Sequence, residues 1–91
     1  MAKRFVVYGR VQGVGFRYFT WKEAEKIGIK GTVRNCTDGS VEIIAEGNND
    51  QLQRFYDWLK VGPRTATVEQ VLVDNIEDKQ YSDFSIIHRE N

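Results

Sequence analysis

Alternation of apolar and polar residues predicts five β-strands along the chain. The segments are residues 3–8, 30–35, 41–46, 66–74 and 84–89, which are rich in β-branched and aromatic side chains. Thr37-Asp38-Gly39-Ser40 is typical of a hairpin turn, so it joins the second strand to the third. In the fourth strand the apolar residues change phase between Val68 and the pair Val71 and Val73, which predicts a bulge or twist there.

Two further segments show the three- to four-residue spacing of an amphipathic helix. The first begins near Phe16, ends at Gly28, and places these residues on one face: Phe16, Phe19 or Thr20, Ala24 and Ile27. The second is capped by Asn48 or Asn49 and ends at Gly62-Pro63. Its buried stripe comprises Leu52, Phe55 and Leu59.

The order of these elements is β-α-β-β-α-β with one further short strand. Two helices of this length can cover only one face of a sheet. The order therefore predicts an α+β fold, a ferredoxin-like α/β sandwich with two helices packed on one face of a mostly antiparallel sheet of four to five strands. A chain of 91 residues is too short for two hydrophobic cores, so residues 1–91 are expected to form a single domain.

Composition narrows the class of protein. Hydrophobic residues make up 41% and charged residues 29% of the chain, which is ordinary for a globular domain. The longest apolar run near the start, residues 5–8, is too short for a signal-peptide core or a membrane span. We therefore expect a cytoplasmic protein without a membrane partner. Cys36 is the one cysteine, which excludes an internal disulfide and a thiolate metal cage.

The charge is zero overall but uneven along the chain. Zero net charge excludes a strongly basic nucleic-acid binder. Residues 1–35 hold eight lysines and arginines against two glutamates, so this part could direct a positive field at a small anion. The two parts could equally mix in space so that the asymmetry cancels, and charge alone does not separate these alternatives.

The segment Gly9-Arg10-Val11-Gln12-Gly13-Val14-Gly15-Phe16-Arg17 joins the first strand to the first helix through glycines. Such a turn can aim consecutive backbone N–H groups into one concavity at the positive end of the helix dipole, where an anion binds. Arg17, in the first turn of the helix, can close on the same anion with two parallel hydrogen bonds. The spacing fits neither a Walker A loop nor the dinucleotide fingerprint, and a plain tight turn is the alternative.

Asn35 closes the second strand just before the hairpin turn. An asparagine in this place usually serves the turn, so the residues alone leave its role open.

Conventional nucleophiles and metal ligands are few. Cys36 lacks the arginine that a phosphatase cysteine loop carries six residues later, where Glu42 stands. His88 is the one histidine and shares the phase of Phe84 and Ile86, which favours a structural or solvent-facing role over a catalytic one. The carboxylates fall at no ligand spacing, so neither a metal nor a cofactor is expected.

The segment 9–17 closely resembles the signature of the acylphosphatases, small enzymes that hydrolyse carboxyl-phosphate bonds. A second cluster resembles the other signature of that family: residues 31–35 followed by Gly39, Val41 and Gly47. Gly62-Pro63 with Ala66 and Val68, and the closing segment 81–86, are also similar, so the resemblance covers nearly the whole chain. Thr32 departs from the pattern, because the family usually carries a larger apolar or aromatic side chain there. This departure bears on local packing or on the wall that faces the acyl group.

The resemblance implies hydrolysis of a small-molecule acyl phosphate to a carboxylate and inorganic phosphate. It implies that Arg17 binds the phosphoryl group and that Asn35 orients the attacking water. The backbone cradle of the family falls on Gln12, Gly13, Val14, Gly15 and Phe16. The resemblance also implies that the reaction uses no metal and no covalent enzyme intermediate. Phosphate and sulfate are then expected to compete with the substrate, and we expect a monomer with no nucleic-acid partner.

Two other classes of function stay open. One is a noncatalytic anion-binding or RNA-binding module on the same fold, although the strands do not carry the aromatic and basic pattern of RNA-recognition folds. The other is an acylphosphatase-like domain detached from a larger maturation enzyme and acting on carbamoyl phosphate. The shortness of the chain argues against the second.

Overall fold

The strands and helices follow the predicted order closely. The computed structural model describes residues 1–88, and within them the elements are β1 (Ala2–Arg10), α1 (Phe16–Ile27), β2 (Lys30–Asn35), β3 (Val41–Glu46), α2 (Asn49–Val61), β4 (Thr67–Ile76) and β5 (Phe84–Ile87). The bounds of β2 and β3 are those predicted. Strand β1 extends one residue further at its start and two at its end, whereas β4 begins one residue later and ends two residues later than predicted. Strand β5 ends at Ile87, so His88, predicted in the last strand, follows it. Arg89, also predicted in that strand, lies outside the described residues. Within residues 1–88 we find no helix whose length and apolar character would let it span a membrane.

The five strands form one sheet in the order β4-β1-β3-β2-β5. Neighbouring strands are antiparallel except for β2 and β5, which run parallel. Both helices pack on one face of this sheet, which confirms the predicted ferredoxin-like α/β sandwich. The parallel pairing places Arg34 of β2 opposite Ile87 of β5, so the end of β5 lies beside the end of β2.

The predicted irregularity of the fourth strand is a β-bulge. Tyr8 pairs with Gln70 and Gly9 pairs with Val68, so Glu69 has no opposite residue on β1. Gly9 has φ 135°, and a Cβ atom there would lie 2.1 Å from the carbonyl oxygen of Thr67. Only glycine tolerates this approach. The bulge therefore shapes the end of β1, from which the glycine-rich loop departs.

The core lies between the sheet and the helices. The inward face of β3 is fully buried at Val41, Ile43 and Ala45, and the stripe predicted on α2 is confirmed by Leu52, Phe55 and Leu59. On α1 the buried positions are Phe16, Thr20, Ala24 and Ile27. Phe19 was an alternative to Thr20 on this face, but it is 36% exposed. Thr20 is therefore the residue on the buried face, and the alternative that Phe19 is buried there is wrong.

The opposite face of the sheet carries a charged network centred on Glu42 of β3. Its carboxylate accepts a hydrogen bond of 2.5 Å from Nε of Arg4 and one of 2.7 Å from Nε of Arg34. Burial opposes the ionisation of Glu42, but the two arginines outweigh that effect and hold its pKa below the ordinary value. The network joins β1, β3 and β2 through side chains and so supports the strand that ends at Asn35.

Candidate active site

The loop of residues 11–15 joins β1 to α1 and is anchored at both ends. Val11 and Phe16 are each 1% exposed and belong to the hydrophobic core. Between them Gly13 and Gly15 have φ 75° and 79°, in the left-handed region that favours glycine. The loop backbone is thus held at its ends while its glycines remain at the surface.

The N-terminus of α1 differs from that of α2 in its capping. Gly15 caps α1 without a side-chain hydrogen bond, and the first turn contains no acidic residue. In α2, by contrast, Asn48 and Gln51 form a capping box and Asp50 lies in the first turn. The first N–H groups of α1 therefore have no side-chain acceptor among the described residues, and the positive end of the helix dipole is left for an external anion.

The side chain of Gln12 ties the loop to the hairpin between β2 and β3. Its Nε2 donates 2.8 Å hydrogen bonds to the carbonyl oxygens of Cys36 and Ser40. The amide of Cys36 donates to Ser40 across the same hairpin, and Ser40 donates its amide and hydroxyl to Asp38. One glutamine thus fixes the glycine-rich loop against the turn that follows Asn35.

A second contact braces the loop from the other side. Thr65, in the connection between α2 and β4, donates its hydroxyl to the carbonyl oxygen of Val14 at 2.7 Å. Together Gln12 and Thr65 hold the loop from two separate parts of the chain. Such support fixes backbone N–H groups before any ligand binds.

Arg17 lies in the first turn of α1 and reaches the end of β5. Its Nη1 donates a 3.1 Å hydrogen bond to the carbonyl oxygen of Ile87, and the side chain is half-buried. This contact uses one donor of the guanidinium, which carries five N–H donors in all. The remaining fork can serve an anion in the loop.

Asn35, the last residue of β2, is 7% exposed. Its Oδ1 is buried and has no hydrogen-bond partner within residues 1–88. A buried carbonyl oxygen left in this state costs free energy, and a catalytic role or a bound water molecule or ion is a common reason for it. This observation favours a role in binding over the alternative that Asn35 only serves the turn.

A pocket of about 210 Å³ brings these groups together. Its lining comprises Val11, Gly13, Gly15, Phe16, Arg17, Tyr18, Asn35, Ile86 and His88. Five of the seven predicted site residues are among them. The other two, Gln12 and Val14, do not line the pocket and instead hold the loop through the contacts described above.

Three further residues that the sequence singled out have clear places in the structure. Cys36 is half-buried, and its carbonyl group rather than its thiol makes the contact with Gln12. His88 is exposed, as expected, but it lines the same pocket as Arg17, which no local pattern indicated.

Thr32 lies on the sheet face opposite to Val33 and Asn35, because strand residues alternate. It is therefore not part of the pocket wall, and only its effect on packing remains.

The donor set of the pocket suits an anion rather than a metal ion. Its ionisable side chains are Arg17, Tyr18 and His88, with no carboxylate. Across the part of the chain that the structure describes, no group of three His, Cys, Asp or Glu side chains is placed to hold a metal ion. A phosphoryl group is the kind of ligand that a glycine-rich loop, a helix N-terminus and an arginine fork bind together.

These features define the class of the molecule as a small α+β sandwich with an anion-binding loop between its first strand and first helix. Residues 3–86 match the sequence profile of the acylphosphatase family. The chain is 56% identical over 87 residues to the acylphosphatase of Pasteurella multocida, a match that covers 94% of this chain and 97% of that protein. The chain belongs to the acylphosphatase family.

Solved structures show the same likeness. The crystal structure of acylphosphatase from Bacillus subtilis has 42% sequence identity and a TM-score of 0.91, with 94% of this chain and 97% of that chain covered. Full-length HypF, in its phosphate- and nucleotide-bound form, has 33% identity and a TM-score of 0.90. That match covers 99% of this chain and 12% of HypF, so the fold also occurs within a much longer protein.

The role of the Gln12 side chain can be tested by Gln12→Ala. The substitution removes two hydrogen bonds, each of which contributes about 0.5–1.5 kcal/mol, so the free energy of unfolding should fall by roughly 1–3 kcal/mol. Chemical denaturation measures this change. Gln53→Ala is the matched control, since Gln53 is exposed and donates its side-chain amide to Asp57 on its own helix. This substitution should change the free energy of unfolding by less than about 0.5 kcal/mol. Equal losses in the two variants would contradict the bridging role.

Proposed function

We propose that the protein is a hydrolase that cleaves the carboxyl-phosphate bond of acyl phosphates to a carboxylate and inorganic phosphate. Membership of the acylphosphatase family supports this proposal. The observation that carries it is the pocket in which the glycine-rich loop, Arg17 and Asn35 meet. Oδ1 of Asn35 has no hydrogen-bond partner in the described part of the chain.

In the proposed mechanism the phosphoryl group occupies the loop. The backbone N–H groups of residues 12–16 and the guanidinium of Arg17 bind its oxygens. These fixed donors stabilise the charge that spreads over the phosphoryl oxygens in the transition state. Because Gln12 and Thr65 already hold the loop, little reorganisation is needed when the reaction occurs.

Asn35 positions the attacking water molecule, which is the nucleophile. Its side-chain amide forms a hydrogen bond with a water molecule and holds the water oxygen in line with the bond that breaks. The new oxygen–phosphorus bond forms as the bond between phosphorus and the acyl oxygen breaks, and the carboxylate leaves with the electron pair. The water proton passes to a phosphoryl oxygen of the substrate. A carboxylate is a good leaving group, so positioning and electrostatics suffice.

The mechanism uses neither Cys36 nor a metal ion, and no covalent enzyme intermediate forms. Inorganic phosphate and sulfate compete for the loop, because they present the same tetrahedral oxygens as the substrate. The proposal also includes a cytoplasmic monomer, folded as one domain over residues 1–91, without nucleic-acid or membrane partners.

A second candidate is a domain that acts on carbamoyl phosphate for a larger enzyme. The likeness to 12% of the HypF chain favours this candidate. The relative from Pasteurella multocida favours the first, because the chain spans 97% of that protein. Comparing benzoyl phosphate with carbamoyl phosphate as substrates separates the two.

The function is tested by phosphate release from benzoyl phosphate in the presence of a metal chelator. We expect turnover by the natural protein and its loss in Arg17→Ala and Arg17→Lys, since lysine keeps the charge but not the fork. Loss of a charge-assisted pair to a phosphoryl group costs roughly 2–4 kcal/mol, or about 30- to 1,000-fold in kcat/KM.

Arg54→Lys provides the matched control for this assay, because Arg54 is exposed on α2 and lies away from the pocket. It should leave kcat/KM unchanged. Turnover near the natural rate in a folded Arg17→Lys protein would show that bidentate binding is not needed. Failure of the natural protein to release phosphate would overturn the function itself.

Asn35→Ala should lower kcat by roughly 10²- to 10³-fold, as loss of one positioned polar group does in related sites. KM should stay nearly constant, because the contact to the attacking water is not part of substrate binding. Steady-state kinetics measure the two constants, and thermal unfolding checks that β2 and its hairpin remain folded. Asn75→Ala, at an exposed position of β4, is the control. If a folded Asn35→Ala protein kept the kcat of the natural protein, Asn35 would have only a structural role at the turn.

A further inference from the structure

A groove of about 700 Å³ lies between α1, the end of α2 and the connection that follows α2. No described residue lines both this groove and the pocket that holds Arg17 and Asn35. Its volume falls within the range of small-molecule sites, roughly 300–1,000 Å³. Such sites combine apolar surface with a few charged groups, and the lining of the groove has both. The mechanism above assigns the groove nothing.

The apolar part of the groove consists of Phe19, Trp58 and Pro63. Phe19 is 36% exposed, which is unusual for a large apolar side chain on a helix that packs on the sheet. Trp58 is half-buried and packs against the core, with its ring centroid 6.1 Å from that of Phe16. The two aromatic side chains and the proline ring offer apolar surface to a flat ligand.

The cationic part of the groove consists of Lys22, Lys26 and Arg64, all of them exposed. Lys22 and Lys26 lie four residues apart on α1, where like charges repel each other. Within residues 1–88 none of the three forms an ion pair. Among the described residues of the lining, Glu23 is the one acid. Three positive charges against one negative charge favour an anionic ligand.

Contacts outside the groove hold parts of its wall before any ligand binds. The hydroxyl of Thr65, which lines the groove, donates to the carbonyl oxygen of Val14 at 2.7 Å. The ring of Phe19 stands against the glycine-rich loop, since a Cβ atom on Gly15 would lie 3.4 Å from its Cε2. On its other side the Phe19 ring meets that of Tyr18, with 5.4 Å between the centroids. A wall that is already held loses little conformational entropy when a ligand packs on it.

We propose that this groove is a second binding site of the protein, for a small organic anion with a flat apolar body, such as an aromatic carboxylate. The flat body covers the apolar part and removes its surface from water, while the carboxylate faces the cationic part. A neutral ligand of the same shape lacks the second contribution, and an inorganic anion lacks the first. The inference does not depend on the proposed hydrolysis, because the groove and the pocket have separate linings.

The test is an NMR titration of the natural protein, labelled with nitrogen-15, with 2-naphthoate and with 2-naphthamide. The two compounds share one ring system, and only the first is charged at neutral pH. The amide signals of residues 19–26 and 64–65 should shift on addition of 2-naphthoate. Its Kd should be about threefold to tenfold lower than that of 2-naphthamide, the size expected for a few exposed charge pairs. Phosphate in the loop should weaken binding no more than sodium chloride of equal ionic strength does.

Two variants separate the contributions of charge and apolar surface. Lys22→Gln combined with Lys26→Gln should raise the Kd of 2-naphthoate about threefold to tenfold and that of 2-naphthamide by less than about twofold. Phe19→Ala should weaken both compounds by about threefold to tenfold, because it removes a ring that both contact. Lys30→Gln, at an exposed position of β2 outside the groove, is the matched control and should change neither Kd.

Four results would overturn the second site. They are no binding of 2-naphthoate, equal Kd values for the two compounds, an unchanged Kd for 2-naphthoate in the double lysine variant, and displacement by phosphate beyond the effect of salt. The last result, with signal shifts confined to the loop and the end of β5, would place the anion in the pocket of Arg17 and Asn35. Release of phosphate from benzoyl phosphate is measured separately, so none of these results decides the proposed function.

Discussion

The site depends on one amide group, that of Gln12. Its two N–H bonds reach the carbonyl oxygens of Cys36 and Ser40 and so join the loop after β1 to the hairpin after β2. The proposed phosphoryl cradle belongs to the first of these segments and Asn35 adjoins the second. In the proposed mechanism this bridge therefore sets the distance between the phosphoryl group and the attacking water. A shift of about 1 Å between reacting groups can cost two orders of magnitude in rate, which explains why such a loop needs a rigid tie.

The pairing of strands in the sheet, rather than the loop, positions the other groups of the site. Because β5 runs parallel to β2, its end lies beside Asn35, and Ile87 offers its carbonyl oxygen to Arg17. The Glu42 network on the opposite face joins β1, β3 and β2. A charged network on one side of the sheet and a hydrophobic core on the other thus hold the strand end that carries Asn35.

Much of the fold was predictable from the sequence because single residues and short turns mark where its helices and strands end. Gly28, Asn48 and the turn at residues 37–40 mark element ends through their own conformational preferences, and the phase change near Val68 marks the bulge. Periodicity did not separate Phe19 from Thr20, because both lie close to the inward face of α1 and the neighbouring elements decide which is buried. The resemblance to acylphosphatases named Arg17 and Asn35. It was silent on the Gln12 bridge and on the place of His88 in the pocket lining, since these depend on contacts between segments distant in sequence.

The central claim is that water attacks phosphorus while the phosphoryl group lies in the loop. Hydrolysis of an acyl phosphate in water labelled with heavy oxygen tests this claim most directly, with mass spectrometry of both products. The account predicts one labelled oxygen in the released phosphate and none in the carboxylate, at the enzyme-catalysed rate. Label in the carboxylate would show attack at the acyl carbon and would contradict the account.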